Sequence, residues 1–298
     1  MESTPHFVLS ADVGGSHITT ALVNISQQQL IKETLIRESV NPHGTPKEII
    51  DNWCSSISKT LRGYEGKVEH FGIAMPGPFD YDQGISKIRG AAKFDSLFGL
   101  NVKEMLAQSL GVAPFKIRMM NDAGCFLQGE VYAGSATGFN HVIGLTLGTG
   151  LGTARYHQGI GEDANLWCMP FKESIAEDYI STRWFVKRYL ELSGLPIKDV
   201  KALADIYETD KFAQLIFKEF GQNLALFLKE FIQKDNPEVV IIGGNIANAY
   251  HLFSNEIISY FEQQNIQTSI YLSKLNEVAA LLGAANLWPY QPELIRIQ

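Results

Sequence analysis

A carboxylate at the end of an apolar segment is the first feature of this sequence that could do chemistry. In KIRMMNDAGCF (116–126) the apolar run stops at Asn121-Asp122, and a helix-like pattern follows. Asp and Asn often cap a helix by accepting a free backbone N–H, and this role alone would explain the pair. A carboxylate at such a junction could instead accept a proton from a substrate hydroxyl. The pair by itself leaves both interpretations open.

Three glycine turns could bring backbone N–H groups close to a bulky anion or ring. The first, ADVGGSHI (11–18), places Asp12 beside Gly14, Gly15 and Ser16. The second, TLGTGLGT (146–153), contains Gly148, Thr149 and Gly150, and the third, IIGGNIAN (241–248), contains Gly243 and Gly244. Each turn could also be only a tight hairpin or a helix crossover. The spacing matches neither the Rossmann fingerprint nor a P-loop, since no G-K-[ST] occurs.

The elements around these turns alternate in an α/β pattern. Strands are predicted at 7–13, 18–25, 30–38, 68–75, 115–120 and 238–244, and two more within 141–157 around the second turn. Helices are predicted at 45–62, 101–110, 174–193, 211–234, from about 246, and at 277–288. Each half begins with a strand–glycine–strand element. The sequence therefore predicts two α/β domains with a cleft between them: residues 1–120 with the C-terminal helix 277–298, and residues 121–276.

Composition excludes several classes of protein. The 298 residues carry a formal net charge of −7 without a block of Lys or Arg, which argues against nucleic acid or an anionic membrane as a partner. The three cysteines are far apart, so neither a disulfide framework nor a cysteine-rich zinc site is indicated. The N-terminus lacks the charged region of a signal peptide, and no segment approaches the roughly 18 apolar residues of a membrane span. A cytoplasmic protein is expected.

The order of the motifs is more specific than any one of them. Along the chain the motifs are acid-Gly-Gly-hydroxyl, Pro-Gly-Pro, Asn-Asp, Gly-Thr-Gly and Gly-Gly. The order resembles that of the sugar-kinase/actin/Hsp70 superfamily, and more narrowly that of the ROK family (repressor, open reading frame, kinase). The resemblance is carried by DVGGSH (12–17), GIAMPGPFD (72–80), NDAGCFLQGE (121–130), LTLGTGLG (145–152), GIGED (159–163), AEDYIS (176–181), VVIIGGNIA (239–247) and AALLGAA (279–285). It implies two related α/β domains of the actin-like ATPase (ribonuclease-H-like) type, with ATP and a sugar in the cleft.

The resemblance also assigns roles to residues. Asp122 would be the catalytic base, and Asn121 its partner on the sugar. Asp12 would hold Mg²⁺ through water, beside the phosphate-binding Gly14, Gly15 and Ser16. The second phosphate loop would be Gly148, Thr149 and Gly150, and Gly243 and Gly244 would border the adenosine.

Two departures from the family pattern affect the expected site. His17 stands where the first loop usually carries Lys, so a fixed positive charge is lost. The sugar motif and zinc cluster of many ROK proteins correspond to GEDANLWCMPFKESIAED (161–178), in which Glu162 and Glu177 match the flanking acids and Asn165 replaces the zinc-ligating His. Only Cys168 lies between them, and a structural zinc site needs four ligands. We therefore expect no zinc, with Glu162, Asn165 and Glu177 still available to a sugar.

The leading hypothesis is an ATP- and Mg²⁺-dependent hexose kinase acting on the 6-hydroxyl of glucose or a related hexose such as an N-acetylhexosamine. The first alternative is a sugar-responsive transcriptional regulator, which is disfavoured because only eleven residues precede Asp12. The second is a sugar-binding pseudokinase or sensor without turnover, favoured by His17 and the shortened zinc loop. The resemblance further implies a homodimer.

Overall fold

A computed structural model of the chain describes residues 6–90 and 93–290. Residues 1–5 and 291–298, which the predicted N-terminal domain includes, lie outside the described residues. The first half contains, in chain order, β1 (Phe7–Val13), β2 (His17–Asn24), β3 (Gln29–Ser39), α1 (Pro46–Thr60), β4 (Val68–Met75), β5 (Phe79–Asp80), β6 (Ile85–Ser86), α2 (Val102–Leu110), β7 (Ile117–Asn121) and α3 (Asp122–Ala133).

The second half continues with β8 (His141–Leu147), β9 (Leu151–His157), β10 (Ile160–Asp163), β11 (Pro170–Phe171), β12 (Ser174–Ile175), α4 (Thr182–Ser193), α5 (Val200–Asp205), α6 (Lys211–Asp235), β13 (Val239–Gly243), α7 (Ser254–Gln263), β14 (Ser269–Leu272) and α8 (Ala279–Ala285). Short 3₁₀ turns occur at Asp95–Leu97, Pro114–Lys116, Ala176–Asp178, Asn245–Leu252 and Asn276–Val278.

The chain forms two compact units, each built on one five-stranded sheet. The first unit extends to Ala133 and resumes at Glu277, and the second is Gly134–Asn276. The first sheet has the order β3-β2-β1-β4-β7 and the second the order β10-β9-β8-β13-β14. In both, the first three strands pair antiparallel and the last two continue parallel to the central strand. The predicted pair of related α/β folds is therefore confirmed.

Helix α1 forms where its local signals predict it. The hydroxyl of Thr45 accepts the backbone N–H of Glu48 (3.3 Å), and the Glu48 carboxylate accepts the N–H of Thr45 (2.7 Å). This capping box, with Pro46 at the first helical position, satisfies free N–H groups of the first turn. The apolar face of the helix then buries Trp53 and Ile57 in the core of the first unit.

Helices α3 and α8 approach each other so closely that only glycine fits at their contact. A Cβ on Gly129 would overlap the carbonyl of Ala279, and a Cβ on Gly283 would overlap the carbonyl of Cys125. Both helices belong to the first unit, with α8 also packing on β1 and β4. The predicted domain boundary at residue 120 precedes α3, and this contact holds α3 beside the C-terminal helix within the first unit.

The helix predicted at 174–193 begins later than expected. Residues 174 and 175 form β12, residues 176–178 form a 3₁₀ turn, and α4 starts only at Thr182. The helix expected from 246 is likewise a 3₁₀ segment followed by α7, and α8 is shorter than the predicted 277–288. The long helix α6 forms at the predicted place and buries Ile216, Phe220, Phe227 and Phe231 fully in the core of the second unit. Every helix in the described part of the chain is too short or too polar to span a lipid bilayer.

Candidate functional site

Asp12 lies at the carboxyl end of β1, in the middle of the first sheet. Its Cα neighbours are Thr19 on β2 and Ala74 on β4. Burial, followed by the negative charges of Asp122 and Glu277, raises the pKa of the Asp12 carboxyl to about 7, with Arg37 opposing the shift. The two carboxylates are therefore close enough for the charge of one to disfavour ionisation of the other.

The junction between β7 and α3 gives the two residues of the Asn-Asp pair different roles. Asn121 is the residue that caps the helix, since its Oδ1 accepts the backbone N–H of Gly124 (3.1 Å). Its Nδ2 donates to the hydroxyl of Tyr81 (3.2 Å), which in turn donates to the carbonyl of Met75 (3.1 Å). Asn121 is thus held rigidly, with 6% of its surface exposed.

Asp122 is the first residue of α3 and does not supply this cap. Its Oδ1 accepts the neighbouring N–H of Ala123 (2.9 Å), and for its other oxygen the structure records no hydrogen bond within the described residues. Cys125, one turn further along α3, is fully buried. Burial raises the pKa of its thiol well above the ordinary value, with further increases from Asp12 and Asp122, so the thiol stays protonated near both carboxylates.

The first glycine turn joins β1 to β2. The N–H of Gly14 donates to the carbonyl of His17 (2.8 Å), and the carbonyl of Ser16 accepts from Val40 (3.0 Å). The Ser16 hydroxyl contacts Nδ1 of His17 (2.9 Å). No hydrogen bond within 6–90 and 93–290 is recorded for the N–H groups of Gly15 and Ser16. These two donors are available to an anion at the turn.

In the second unit, two glycine turns lie at the same end of the sheet. Gly148–Gly150 connects β8 to β9, closed by a bond from Gly148 N–H to the Gly150 carbonyl (3.1 Å). Thr149 is exposed at its tip. Gly243 ends β13 opposite Thr146 of β8. Gly244 has a φ of +86°, and a Cβ there would overlap the backbone of Leu147. Glycine is thus required for the third turn to pass beside the second.

Glu177 joins the second glycine turn to the start of α4. Its Oε2 accepts the N–H of Leu151 (3.0 Å), and its Oε1 forms an ion pair with Arg183. A Cβ on Gly150 would overlap the same Oε2. The carboxylate therefore occupies the space that the glycine leaves open.

Asn165 is connected to Glu177 by hydrogen bonds to one residue, Trp167. The carbonyl of Trp167 accepts the N–H of Glu177 (3.0 Å), and the indole Nε1–H of Trp167 donates to Oδ1 of Asn165 (2.9 Å). Asn165 has a φ of +52°, a conformation that asparagine tolerates better than most residues, and its N–H donates to Asp163 (2.7 Å). The structure thus connects Asn165, Glu177 and Gly150.

Glu162 has a different partner. It lies on β10 opposite Arg155 of β9, and its carboxylate is 3.6 Å from the Arg155 guanidinium. Arg155 also forms a two-bond contact with Asp235 (2.5 and 3.3 Å). The Glu162 side chain remains 57% exposed. The structure therefore connects Glu162 to an ion-pair network and records no contact of its carboxylate with Asn165 or Glu177.

Sequence reasoning did not find Arg183, Trp167 or Tyr81. Each acts on a predicted site residue: Arg183 on Glu177, Trp167 on Asn165 and Tyr81 on Asn121. Trp167 follows Asn165 by two positions, within the segment 161–178 that differs from the family's sugar motif. A hydrogen-bond donor so close to Asn165 in the sequence could have indicated this contact. Arg183 and Tyr81 stand 6 and 40 positions from their partners, and no pattern indicates them.

The described part of the chain contains no group of three or more His, Cys, Asp or Glu side chains arranged to hold a metal ion. Cys54 and Cys125 are buried, Cys168 is exposed, and all three are free thiols. The absence of a zinc site stays a prediction. For Mg²⁺ the donor set fits, because Mg²⁺ is usually held by one or two carboxylates together with substrate phosphates. Asp12, at the carboxyl end of β1 beside the first glycine turn, provides such a carboxylate.

Comparisons with known proteins found sugar kinases that are similar to this chain over almost its whole length. Glucokinase of Thermotoga maritima is 28% identical to this chain, covering 94% of it and 96% of the relative. N-acetyl-D-glucosamine kinase of Histophilus somni is 25% identical, covering 93% and 97%. A crystal structure of a ROK family glucokinase from Streptomyces griseus in complex with glucose and AMPPNP is similar with a TM-score of 0.76 and 21% identity, covering 94% of this chain and 98% of that one.

The structural likeness confirms the predicted fold of actin-like ATPase type. A family model, described as the ROK family, matches residues 8–160 and 157–291, which is almost the whole sequence. The repeated sheets, the three glycine turns and this match lead to one conclusion: the chain belongs to the ROK family.

Proposed function

We propose that this chain is an ATP- and Mg²⁺-dependent hexose kinase, which transfers the γ-phosphoryl group to the 6-hydroxyl of glucose or a related hexose such as an N-acetylhexosamine. The proposal is supported by membership of the ROK family and by relatives named glucokinase and N-acetyl-D-glucosamine kinase. The single observation that carries it is the pairing of Asp122 with Asp12. One carboxylate stands at a helix start and the other beside a glycine turn with free N–H groups.

Asp122 is the proposed general base. Phosphoryl transfer depends mainly on positioning and charge neutralisation, with one group to accept the proton of the attacking hydroxyl. Asp122 keeps one oxygen without a recorded protein partner among the described residues, so that oxygen can accept the proton. Asn121, fixed by Tyr81 and by the Gly124 N–H, would orient the same hydroxyl region of the sugar.

Asp12 is the proposed Mg²⁺ residue, acting through water. When bound, the cation would neutralise charge on the nucleotide phosphates. Within the protein, a cation there would offset the repulsion between Asp12 and Asp122 that contributes to the raised pKa of Asp12. Deprotonation of Asp12 is therefore coupled to cation binding.

The glycine turns are the proposed nucleotide contacts. Gly14, Gly15 and Ser16 would approach the phosphates, using the free N–H groups of Gly15 and Ser16. Gly148, Thr149 and Gly150 would form the second phosphate loop, with the exposed Thr149 hydroxyl as a donor. Gly243 and Gly244 would border the adenosine, since glycine leaves backbone surface open to a flat ring.

The proposed sugar set is Asn121, Glu162, Asn165 and Glu177. Asn165 and Glu177 share a loop through Trp167, and Glu177 is fixed by Leu151 N–H and Arg183. Glu162 keeps its contact with Arg155 and, because it is more than half exposed, can still offer its other oxygen to a sugar hydroxyl.

The test is ADP release from Mg·ATP across a panel of hexoses, N-acetylhexosamines and fructose. We expect turnover on at least one sugar, and a fall in kcat of roughly 10²–10⁴-fold in Asp122→Asn with sugar binding retained. Asp205→Asn, which changes an exposed aspartate at the end of α5, is the matched control and should turn over normally. Near-normal turnover by Asp122→Asn would reject this residue as the base.

The second candidate is a sugar-binding sensor or pseudokinase of the same family. It is favoured by His17, because the first glycine turn then contains neither Lys nor Arg. Sugar binding in a calorimeter without ADP release on any member of the panel would select this alternative over the kinase.

A further inference from the structure

Lys93 lies against the first glycine turn, although it is 78 positions from Gly15 in the sequence. Its Cδ methylene is 3.2 Å from the place that a Cβ on Gly15 would occupy. The side chain is half-buried, and its ammonium makes no recorded hydrogen bond or ion pair with any described residue. The alkyl stem is thus packed on the turn while the charged end has no protein partner there.

Main-chain hydrogen bonds fix Lys93 relative to the turn. The carbonyl of Ser16 accepts from Val40 (3.0 Å), and two residues later the carbonyl of Pro42 accepts from the N–H of Phe94 (2.8 Å). The Phe94 ring is fully buried, with its centroid 5.3 Å from that of Trp53. The backbone at Lys93 is therefore anchored through its neighbour, and its position beside Gly15 does not depend on the side chain alone.

A phosphoryl group at the turn would be stabilised by positive charge, which the turn's own residues do not carry. Residues 11–18 contain no Lys or Arg, and both nearby acids, Asp12 and Asp122, are negative when ionised. Arg37 is the cation that acts on Asp12, and its guanidinium is 3.5 Å from the Glu277 carboxylate. Lys93 is the cation at the turn with no such partner within the described residues.

We propose that Lys93 binds the phosphoryl oxygens held at the Gly14–Ser16 turn and supplies the charge that His17 does not. This inference rests on the proposed kinase function. The ammonium is two bonds beyond Cδ, so it can reach an oxygen that already accepts the N–H groups of Gly15 or Ser16. A bond between an ammonium and a phosphate oxygen is stronger than one between neutral groups. The phosphoryl group belongs either to the nucleotide or to the sugar phosphate product.

The experiment is calorimetric titration of the full chain with Mg·ADP, Mg·AMP-PNP, the sugar phosphate product and adenosine. Lys93→Met keeps an unbranched stem and removes the charge, Lys93→Gln is a second neutral variant, and Lys93→Arg keeps the charge. Lys87→Met is the matched control, because Lys87 is on the same segment and pairs with Asp80 (3.3 Å).

Both neutral variants should bind at least one phosphorylated ligand about tenfold more weakly, a difference of about 1.4 kcal/mol. Lys93→Arg should restore most of the affinity, and adenosine and the unphosphorylated sugar should bind normally to every variant. If the neutral variants lose affinity for Mg·AMP-PNP alone, Lys93 contacts the γ-phosphoryl group. If they lose affinity for the sugar phosphate alone, Lys93 contacts the phosphoryl group of the product. Either result supports the proposal.

Unchanged affinity of both neutral variants for all three phosphorylated ligands would overturn the assignment of Lys93 and leave the kinase function intact. An equal loss of affinity in Lys87→Met would also overturn the assignment, because the loss would then follow from the change in net charge and not from a contact at the turn. Failure of the unmodified chain to bind either nucleotide would reject the proposed function and this inference together.

Discussion

The indole Nε1–H of Trp167 donates to Oδ1 of Asn165 across 2.9 Å, and this contact fixes which way the Asn165 amide faces. An indole nitrogen can only donate, so the atom opposite must be the amide oxygen. The amide nitrogen, with its two donors, is then the group left for other contacts. If Asn165 binds the sugar, it does so as a donor to a sugar oxygen, whereas a neutral histidine could either donate or accept.

Trp167→Phe tests this relationship, because it keeps an aromatic ring and removes the donor. The Asn165 amide would lose the contact that orients it, at a cost of roughly one hydrogen bond, about 0.5–1.5 kcal/mol. We expect the KM for the sugar to rise about three- to tenfold, with the KM for ATP unchanged, in steady-state ADP release.

Trp288→Phe is the matched control, since that indole also donates one hydrogen bond, to the Phe71 carbonyl (3.0 Å) in the first unit. It should leave the sugar KM unchanged. Equal changes in the KM for sugar and for ATP in Trp167→Phe would contradict a local orienting role.

Gly150→Ala should displace the Glu177 carboxylate, because the added Cβ would overlap Oε2. Glu177 would then lose the Leu151 N–H, the Arg183 ion pair, or both. We expect a loss of about 1–3 kcal/mol in the free energy of unfolding, measured with urea, and a raised sugar KM. Gly148→Ala is the control: no heavy atom lies within 4 Å of a Cβ at that position, so its stability should stay within about 0.5 kcal/mol.

The stability of the protein without ligands should depend on pH through Asp12. Its carboxyl has a pKa of about 7 when folded, against 3.8 for the ordinary value. Between these values the folded chain binds more protons than the unfolded chain, so this contribution to stability is present below pH 4 and is lost as the pH rises to about 7. Asp12→Asn removes the effect, because the amide does not ionise.

We therefore expect Asp12→Asn to be more stable than the unmodified protein at pH 8, by on the order of 2–4 kcal/mol, and nearly equal to it at pH 4. Urea unfolding at the two pH values measures the difference. Parallel pH profiles for the two proteins would show that Asp12 has an ordinary pKa. Saturating Mg·ADP should reduce the difference in the free energy of unfolding at pH 8, since the bound cation would stabilise the ionised Asp12 carboxylate.

Elements whose stabilising contacts lie within a few residues can be predicted from the sequence. Helix α1 could be predicted from Thr45, Pro46 and Glu48 because each acts within one helical turn. The hairpin turns of both sheets could be predicted for the same reason. The apolar run that ends at Asn121-Asp122 predicts a strand–helix junction, and β7 ends at Asn121 where α3 begins at Asp122. Which residue caps α3 depends on how the Asn121 amide meets Tyr81, 40 positions away.

Contacts between residues far apart in the sequence explain the features that could not be predicted from it. Residues 174–178 have helical spacing, yet they form a strand and a 3₁₀ turn, because Glu177 is held by the Leu151 N–H, 26 positions earlier. The ion pair of Glu162 depends on the register of β10 against β9, which places it opposite Arg155. Arg155 in turn depends on Asp235, 80 positions away. Neither register nor such partners can be predicted from periodicity.

Gly283→Ala tests whether the α3–α8 contact supports Asp122. In an exposed helix interior, replacing Gly with Ala stabilises the helix by about 1 kcal/mol. Here the new methyl group would overlap the carbonyl of Cys125, whose helix begins at Asp122. We expect the opposite sign, a loss of about 1–3 kcal/mol in the free energy of unfolding by urea, together with a lower kcat from displacement of α3. A more stable Gly283→Ala protein with normal kcat would show that α8 can move away without disturbing Asp122.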